Sequence, residues 1–363
     1  MKTTYPYRLN TIGAEELLHT PITPVPFVVE ELLTQGLHLL AGAPKIRKSW
    51  LALWLCLCVA KGEPIWKFPV TQGDVLYLCL EDNRSRIQKR LFQITEEATD
   101  DPHLTTAAGQ LGGVLEDQLR DFLNSHPATR LIVIDTLQRI RAERDNANPY
   151  SSDYQDVTTI KQLAEQYHVA ILLIHHLRKM KDEDPVNMVS GSTGLSGGAD
   201  SIFVLRPDKR GSDQATLFCT GRDIPSRELR LQFQRETFTW SLLSDSEDTE
   251  PKQTDSLLQM LVAFLLPIIP FHGTATELRE LLKERTGEVM AASILSKKLT
   301  RYVDELWETG IQFTSSRTRE ARQLHLEPVC DGSDGSDGKN SSVSVSNFPS
   351  QASQPSREPV EPP

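Results

Sequence analysis

The segment from Gly42 to Ser49 constrains this chain more than any other part of the sequence. It reads Gly-Ala-Pro-Lys-Ile-Arg-Lys-Ser and lies between apolar runs at 37–41 and 50–60. A strand, a loop and a helix in this order form a phosphate-binding loop, in which backbone N–H groups and the helix dipole hold the anion. In this pattern Lys48 reaches the β- and γ-phosphates of a nucleotide and Ser49 holds Mg²⁺. The alternative is a lysine-containing loop that precedes a helix by chance. The predicted nucleotide-binding residues are Gly42, Ala43, Pro44, Lys45, Ile46, Arg47, Lys48, Ser49 and Trp50.

One position of the loop departs from the pattern G-x-x-x-x-G-K-[ST], which has glycine where this chain has Arg47. Glycine there usually allows a close backbone approach or a conformation that a Cβ atom disfavours. Arg47 can crowd the phosphate, change the turn, or direct its guanidinium group outward. We therefore expect ATP binding to be retained more readily than fast hydrolysis.

Composition limits the classes of protein to consider. The 363 residues suffice for one large α/β domain and a small one, and the hydrophobic share of 39% with 24% charged residues is typical of a globular protein. The net charge of −10 excludes a generally basic nucleic-acid binder, so any such contact must come from local basic patches. The five cysteines show no metal-ligand spacing, which fits a reducing compartment. The N-terminus has no apolar signal core and no apolar run is long enough for a membrane span, so we expect a cytoplasmic protein.

The order of apolar runs predicts the fold. Runs at 37–41, 75–80, 131–134 and 169–174 alternate with helical patterns, and shorter strands are expected at 201–205, 215–219, 229–233 and 238–240. Alternating β and α elements with buried strands predict an α/β fold with a doubly wound, mostly parallel sheet, which a late β-meander extends.

The predicted boundaries divide the chain into five parts. Residues 1–36 form a lead-in that packs across the edge of the core domain, residues 37–243 form the core domain, and the acidic segment 244–255 is a linker. Residues 256–328 form a small second domain of three helices and a hairpin. The Asp-, Gly-, Ser- and Pro-rich tail at 329–363 is expected to be disordered.

Three polar side chains follow predicted strands, where open α/β sheets bind their ligands. Asp135 after Leu-Ile-Val-Ile is placed to hold Mg²⁺ together with Ser49, Glu81 is placed to act as a general base on water, and His176 is placed to sense a γ-phosphate. The alternatives are an aspartate that forms a turn, a glutamate at a helix start, and a histidine that is merely hydrogen-bonded.

The second domain has the pattern of a helix-turn-helix followed by a basic hairpin. Lys297, Lys298 and Arg301 share a helix face that fits a DNA major groove, and the hairpin residues Arg317, Arg319 and Arg322 form a wing. The nearby acids leave a helical protein–protein module as the alternative.

Taken together, these motifs resemble the RecA-type P-loop ATPases, in particular the RepA-like hexameric helicases of plasmids, phages and mobile elements. The matching phrases are the loop itself, Val75–Asp82, Ile134–Leu137, Gly191–Asp200 and Gly221–Ile224. The resemblance covers roughly residues 20–242. It implies a RecA-like core with a small winged-helix-like domain, a homo-hexameric ring with ATP and Mg²⁺ at each interface, and single-stranded DNA in the channel.

The resemblance also assigns roles to residues. Glu81 would be the catalytic carboxylate, Asp135 the carboxylate on the Mg²⁺ side, and His176 the γ-phosphate sensor. Arg222 matches the arginine finger given to the neighbouring subunit, although a surface salt bridge is the alternative. The loop that carries Arg178, Lys179 and Lys181 would contact the DNA backbone, unless it is an ordinary solvated loop. The sequence thus predicts an ATP-hydrolysing replicative helicase or translocase, or else a nucleotide-binding replication or regulatory protein that hydrolyses poorly.

Overall fold

The computed structural model describes residues 11–22, 25–97, 99–141, 149–177, 182, 184–189, 193–209, 211–249, 256–287, 290–318 and 321–329. The chain divides into two units. Residues 23–255 form the core unit, and residues 1–22 together with 256–363 form the second unit.

The elements of the core unit alternate as the sequence predicts. In chain order they are β1 (Phe27–Val29), β2 (Leu33–Thr34), β3 (Gly36–Gly42), α2 (Lys48–Lys61), β4 (Asp74–Cys79), α3 (Arg84–Ile94), β5 (Pro102–Thr105), α4 (Leu115–Ser125), β6 (Thr129–Asp135), α5 (Leu137–Ile140), α6 (Pro149–Tyr167), β7 (Ala170–His176), α7 (Thr193–Gly198), β8 (Ser201–Pro207), β9 (Gln214–Gly221), β10 (Arg227–Phe233) and β11 (Trp240–Asp245). A further short helix, α1 (Ala14–Leu17), precedes them in the chain and belongs to the second unit.

The central sheet has nine strands in the order β11-β10-β9-β8-β3-β7-β6-β4-β5. The strands from β5 to β8 are parallel, and β8, β9, β10 and β11 form an antiparallel meander. This confirms the predicted mostly parallel sheet with a late meander. Strand β5 at the edge was not predicted, because its four residues are only partly buried and carry no continuous apolar run.

Apolar side chains cover both faces of the sheet. In β6, Leu131 and Val133 join the core that also contains α2, whereas Ile132 and Ile134 join the core under α4 and α6. Strands buried on both faces have nearly continuous apolar sequences, which explains why the sequence predicted them well. Helix α2 ends at Gly62, which adopts a left-handed conformation (φ 70°), as the sequence predicted.

The expected lead-in is not one unit in the structure. Residues 25–36 contribute β1 and β2 to the core unit, but residues 11–22 belong to the second unit. The physical reason is a set of polar contacts: Glu15 pairs with Lys297 at 2.8 Å, His19 Nδ1 bonds to Ser296 Oγ at 3.0 Å, and Arg322 donates to the His19 carbonyl.

The expected linker also begins later than the acidic composition suggested. Strand β11 continues to Asp245, and a 3₁₀ turn follows at Ser246–Thr249. Asp245 is buried because it accepts from Arg227 at 3.1 Å and pairs with Lys67 at 2.8 Å. Asp245, which the sequence placed in a polar linker, is therefore the partner of the buried Arg227. Residues 250–255 lie outside the described residues.

The second unit contains α8 (Ser256–Leu265), β12 (Phe271–Thr274), α9 (Ala275–Thr286), α10 (Ala292–Arg301), α11 (Val303–Glu308), β13 (Ile311–Arg317) and β14 (Arg322–Pro328). Its three strands form an antiparallel sheet in the order β12-β14-β13. The hairpin of β13 and β14 was expected. Strand β12 was missed, and the third expected helix is divided into α10 and α11 at Tyr302.

The apolar runs of the sequence, each too short to span a membrane, lie within these two units. Among the described residues, no helix is both long and apolar enough to cross a membrane. Four of the cysteines, Cys56, Cys58, Cys79 and Cys219, are buried free thiols in the core unit.

Candidate active site: a phosphate-binding loop at the strand ends

The loop after β3 lies where parallel strands bring several polar residues to one edge. Gly42 pairs with His176 of β7 and with Leu205 of β8. A Cβ atom on Gly42 would lie 2.5 Å from Ile46 Cδ1 and 2.9 Å from the Leu205 carbonyl oxygen, so this position requires glycine. The loop and its neighbours surround an open cleft of about 530 Å³, lined by Pro44, Lys45, Ile46, Arg47, Lys48, Ser49, Trp50, Glu81, Asp82, Arg86, Arg90, Asp135, Thr136, Ile174 and His176.

Lys48 is placed at the base of the cleft as the first residue of α2. Its ammonium group donates to the carbonyl oxygens of Gly42 at 2.8 Å and Ala43 at 3.0 Å, and it forms no ion pair within the described part of the chain. Burial lowers the pKa of Lys48 to about 8, although the nearby carboxylates of Asp135 and Glu81 act in the opposite direction. A buried ammonium group without a paired anion is suited to bind a phosphate.

Ser49 and Asp135, the two predicted metal ligands, are in direct contact at the cleft. Ser49 Oγ donates to Asp135 Oδ2 at 2.6 Å, and the Tyr77 hydroxyl donates to the same oxygen at 3.0 Å. Burial raises the pKa of the Asp135 carboxyl group, against the opposing effect of these two hydrogen bonds. Hard oxygen ligands from one serine and one carboxylate fit Mg²⁺, which binds few protein groups and keeps several waters.

Glu81 faces the same cleft from the end of β4. Its carboxylate accepts a hydrogen bond from Thr136 Oγ1 at 3.2 Å, and the side chain is otherwise exposed to the cleft. The neighbouring Asp82 is used differently, because it pairs with Arg86 at 2.8 Å and with Arg90. Glu81 is therefore the carboxylate that remains available to a water molecule.

His176 ends β7 beside the loop. Its Nδ1 atom is buried and has no hydrogen-bond partner among the described residues. His176 as a residue lines the cleft and lies in register with Gly42.

Arg47 adopts the third of the alternatives that the sequence left open. Its backbone has φ 68° and ψ 27°, the left-handed conformation that glycine usually supplies. Its guanidinium group is directed away from the loop towards the meander, where Nη2 pairs with Asp213 Oδ1 at 2.7 Å. The loop thus keeps its turn despite the Cβ atom.

Arg222 lies at the other end of the sheet. Ser201 pairs with both His38 and Gly221, so Arg222 is next to the start of β3 and not to the loop that follows its end. Along β8, this row lies four residue steps from the row of Gly42 and Leu205, which corresponds to about 13 Å. Arg222 is 57% exposed and pairs with Asp200 at 3.2 Å. It is therefore not part of the cleft of its own chain.

The structure describes only some of the predicted DNA-binding residues. Arg178, Lys179, Lys181 and Arg319 lie outside the described residues. Lys298 and Arg301 lie over the Tyr302 ring, with centroid distances of 6.0 and 5.6 Å, and Lys297 is paired with Glu15. Arg317 is exposed at the end of β13.

The sequence patterns did not mark Tyr77, Thr136 or Asp213 as part of the site. A signal existed for Tyr77, since a tyrosine in a fully buried strand needs a partner for its hydroxyl group. Thr136 directly follows Asp135, so its position near the cleft could also have been predicted from the sequence. Asp213 had no such signal, because it lies 166 residues from its partner Arg47.

The chain is similar to a known family model and to solved structures. A family model described as an AAA domain matches residues 3–182. A solved structure of an ATPase domain is 18% identical, covers 58% of this chain and 85% of that chain, and has a TM-score of 0.49. A structure of a DnaB-like replicative helicase and its interactions with primase is 19% identical, with a TM-score of 0.50. That match covers 61% of this chain and 64% of the helicase chain.

The loop, the strand-end carboxylates and the order of the sheet define a P-loop ATPase core. The AAA-domain model matches just under half of the chain, and the core has a fold similar to that of the DnaB-like replicative helicase structure. The predicted fold class of the core is thereby confirmed.

Proposed function

We propose that this protein is a replicative DNA helicase or translocase of a plasmid, phage or mobile element, driven by hydrolysis of Mg·ATP. The observation that carries the proposal is the convergence of Lys48, Ser49, Asp135, Glu81 and His176 around one cleft. The AAA domain match and the helicase-like fold support the same function.

The residues of the cleft divide the chemistry between binding and proton transfer. Lys48 would bind the β- and γ-phosphates, and Ser49 and Asp135 would hold Mg²⁺, which would supply positive charge to the phosphate oxygens. Glu81 accepts the proton of the attacking water, and the hydrogen bond from Thr136 fixes the orientation of its carboxylate. His176, which lines the cleft in register with Gly42, would contact the γ-phosphate.

A ring of subunits would explain the position of Arg222. Because this residue lies far from its own cleft and is exposed, it is available to the nucleotide of a neighbouring subunit. An arginine supplied in this way stabilises charge in phosphoryl transfer. We propose a homo-hexamer that works in the cytoplasm on single-stranded DNA, with Arg178, Lys179 and Lys181 at the DNA backbone.

We further propose that the second unit is a winged-helix-like DNA-binding domain. Support comes from its order of elements, in which α9 and α10 are followed by the β13–β14 hairpin with Arg317 and Arg322 at its tip. Helix α10 carries Lys297, Lys298 and Arg301. A helical module for protein partners is the alternative, and direct DNA binding separates the two.

One experiment tests the main proposal. ATP turnover is measured with and without single-stranded DNA, together with strand displacement on a forked duplex. We expect DNA to stimulate turnover and displacement to depend on ATP. Turnover that ignores DNA, with no displacement under any nucleotide condition, would contradict a helicase function.

A second candidate is a nucleotide-dependent replication regulator that hydrolyses ATP slowly. Arg47 in place of the loop glycine is the observation that favours it. If Arg47 slows hydrolysis, the substitution Arg47→Gly raises turnover more than it changes the ATP dissociation constant, because hydrolysis demands tighter placement than binding. Equal turnover in both proteins would remove the support for this candidate.

A further inference from the structure

The outward contacts of Arg47 form a specific clamp between the phosphate-binding loop and the β-meander. Nη2 pairs with Asp213 Oδ1 at 2.7 Å, and Nη1 donates to the Ser212 carbonyl oxygen at 3.4 Å. The guanidinium carbon lies 4.2 Å from the centre of the Phe233 ring, which adds a cation–π contact. An ion pair, a hydrogen bond and a cation–π contact therefore hold the Arg47 side chain away from the phosphate-binding loop.

Asp213 is also held in position by contacts that do not involve Arg47. Its second carboxylate oxygen accepts from Arg235 Nε at 2.7 Å, and its backbone carbonyl accepts from the Phe233 N–H at 2.7 Å. An acceptor that is fixed on two sides loses little conformational freedom when it binds a further partner. The clamp is thus built from the start of β9 and the end of β10, next to the loop.

The backbone of Arg47 explains why such a clamp is needed. A residue with a Cβ atom is strained in the left-handed conformation, and such strain persists only where the surroundings hold it. This residue immediately precedes Lys48, so its conformation sets the direction of the first turn of α2 and of the N–H groups that face a phosphate. Without a clamp, we expect the loop to relax when no nucleotide is bound.

We propose that Asp213 is a positioning residue for nucleotide binding, which holds Arg47 in the conformation that keeps the phosphate-binding loop open. In this chain the ion pair of Arg47 with Asp213 stabilises a left-handed backbone conformation that glycine would adopt without strain. The inference depends on nucleotide binding at this loop and is independent of DNA unwinding and ring formation.

The test is a set of four proteins, in which Asp213 is either retained or changed to Asn, with either Arg or Gly at position 47. The ATP dissociation constant is measured for each by equilibrium titration with a fluorescent ATP analogue. With Arg47 present, Asp213→Asn is expected to weaken binding about five- to tenfold, the size expected from one strained residue. With Arg47→Gly, the same change is expected to have an effect of less than about twofold, since glycine needs no clamp.

A matched control separates this role from a general effect of charge. Asp208 also lies at this end of the meander and pairs with Arg230 at 3.4 Å, and within the described part of the chain it has no ion pair with the loop. Asp208→Asn removes the same charge and is expected to leave the dissociation constant unchanged. The proposal is overturned if Asp213→Asn has no effect with Arg47 present, or an equal effect in both backgrounds. If the parent chain itself does not bind the analogue, the nucleotide site fails, which is a different result from failure of the clamp.

Discussion

Thr136 Oγ1 donates a hydrogen bond to Glu81 Oε1 at 3.2 Å, and this contact joins the ends of β6 and β4 above the phosphate-binding loop. The two residues are 55 positions apart in the chain. Asp135 precedes Thr136, so the same turn presents the carboxylate proposed to bind the metal and orients the carboxylate proposed to be catalytic. A fixed carboxylate can accept a proton from water without first reorganising.

Glu81→Gln is therefore expected to retain nucleotide binding and to lower turnover by about 10²–10⁴-fold, the usual contribution of a general base. Thr136→Val keeps the shape of the side chain but removes the hydroxyl group. We expect it to lower kcat while KM changes little, because only the orientation of Glu81 is lost. The measurement is steady-state ATP hydrolysis alongside nucleotide titration. Parental turnover in Glu81→Gln would reduce Glu81 to a charge near a helix start.

Lys48→Ala is expected to weaken Mg·ATP binding by roughly 100-fold, because it removes charge-assisted hydrogen bonds to the phosphates. Lys89→Ala serves as the control, since Lys89 is an exposed lysine of α3 outside the cleft. Both affinities are measured by the same titration. Unchanged affinity in Lys48→Ala would show that the loop does not bind the phosphates.

The ATP affinity is also expected to depend on pH through Lys48. Its pKa in the free protein is about 8, whereas a bound phosphate favours the charged form. Below this pKa the ammonium group is already charged, and above it binding must take up a proton. The affinity should therefore fall as the pH rises through about 8. Calorimetry at pH 8.5 in two buffers of different ionisation enthalpy measures the proton uptake, and a binding enthalpy that is the same in both would contradict the expectation.

Arg222→Ala is expected to bind ATP normally and to lose about 10³-fold or more in turnover. Its partner Asp200 keeps the ion pair with Lys161, so we expect the fold to be retained. Mixing Arg222→Ala subunits with Lys48→Ala subunits should restore part of the activity, because each variant supplies what the other's interface lacks. Mixed assemblies without any recovery would count against an arginine that acts on a neighbouring subunit.

The second unit offers a separate prediction about DNA binding. Glu15 pairs with Lys297 at 2.8 Å, so its carboxylate neutralises one of the ammonium groups that α10 would otherwise offer to a DNA phosphate. Glu15→Gln is expected to strengthen binding of duplex DNA by about two- to fivefold, in line with an exposed ion pair. Glu284→Gln, an exposed acid of α9, is the control. The measurement is fluorescence anisotropy at fixed salt. Equal affinity in all three proteins would argue that Lys297 does not contact DNA.

The sequence alone determined the parallel core and the residues of its edge. Buried parallel strands are apolar on both faces, so β3, β4, β6 and β7 stand out as apolar runs, and the polar residue after each run marks the same edge of the sheet. Glu81, Asp135 and His176 were identified in this way, and Lys48 and Ser49 from the pattern of the loop. The structure brings these five residues to one cleft. Periodicity and strand order are local properties, which is why a single sequence reveals them.

Contacts between residues distant in the chain were decided only by the tertiary structure. Nothing in the sequence near Arg47 indicates that Asp213 and Phe233 receive its guanidinium group, or that Asp245 belongs to a strand because Arg227 is buried beside it. The docking of residues 11–22 in the second unit likewise depends on Lys297 and Arg322. Such pairings form because a charge that leaves water needs a partner, and only folding determines which partner is near.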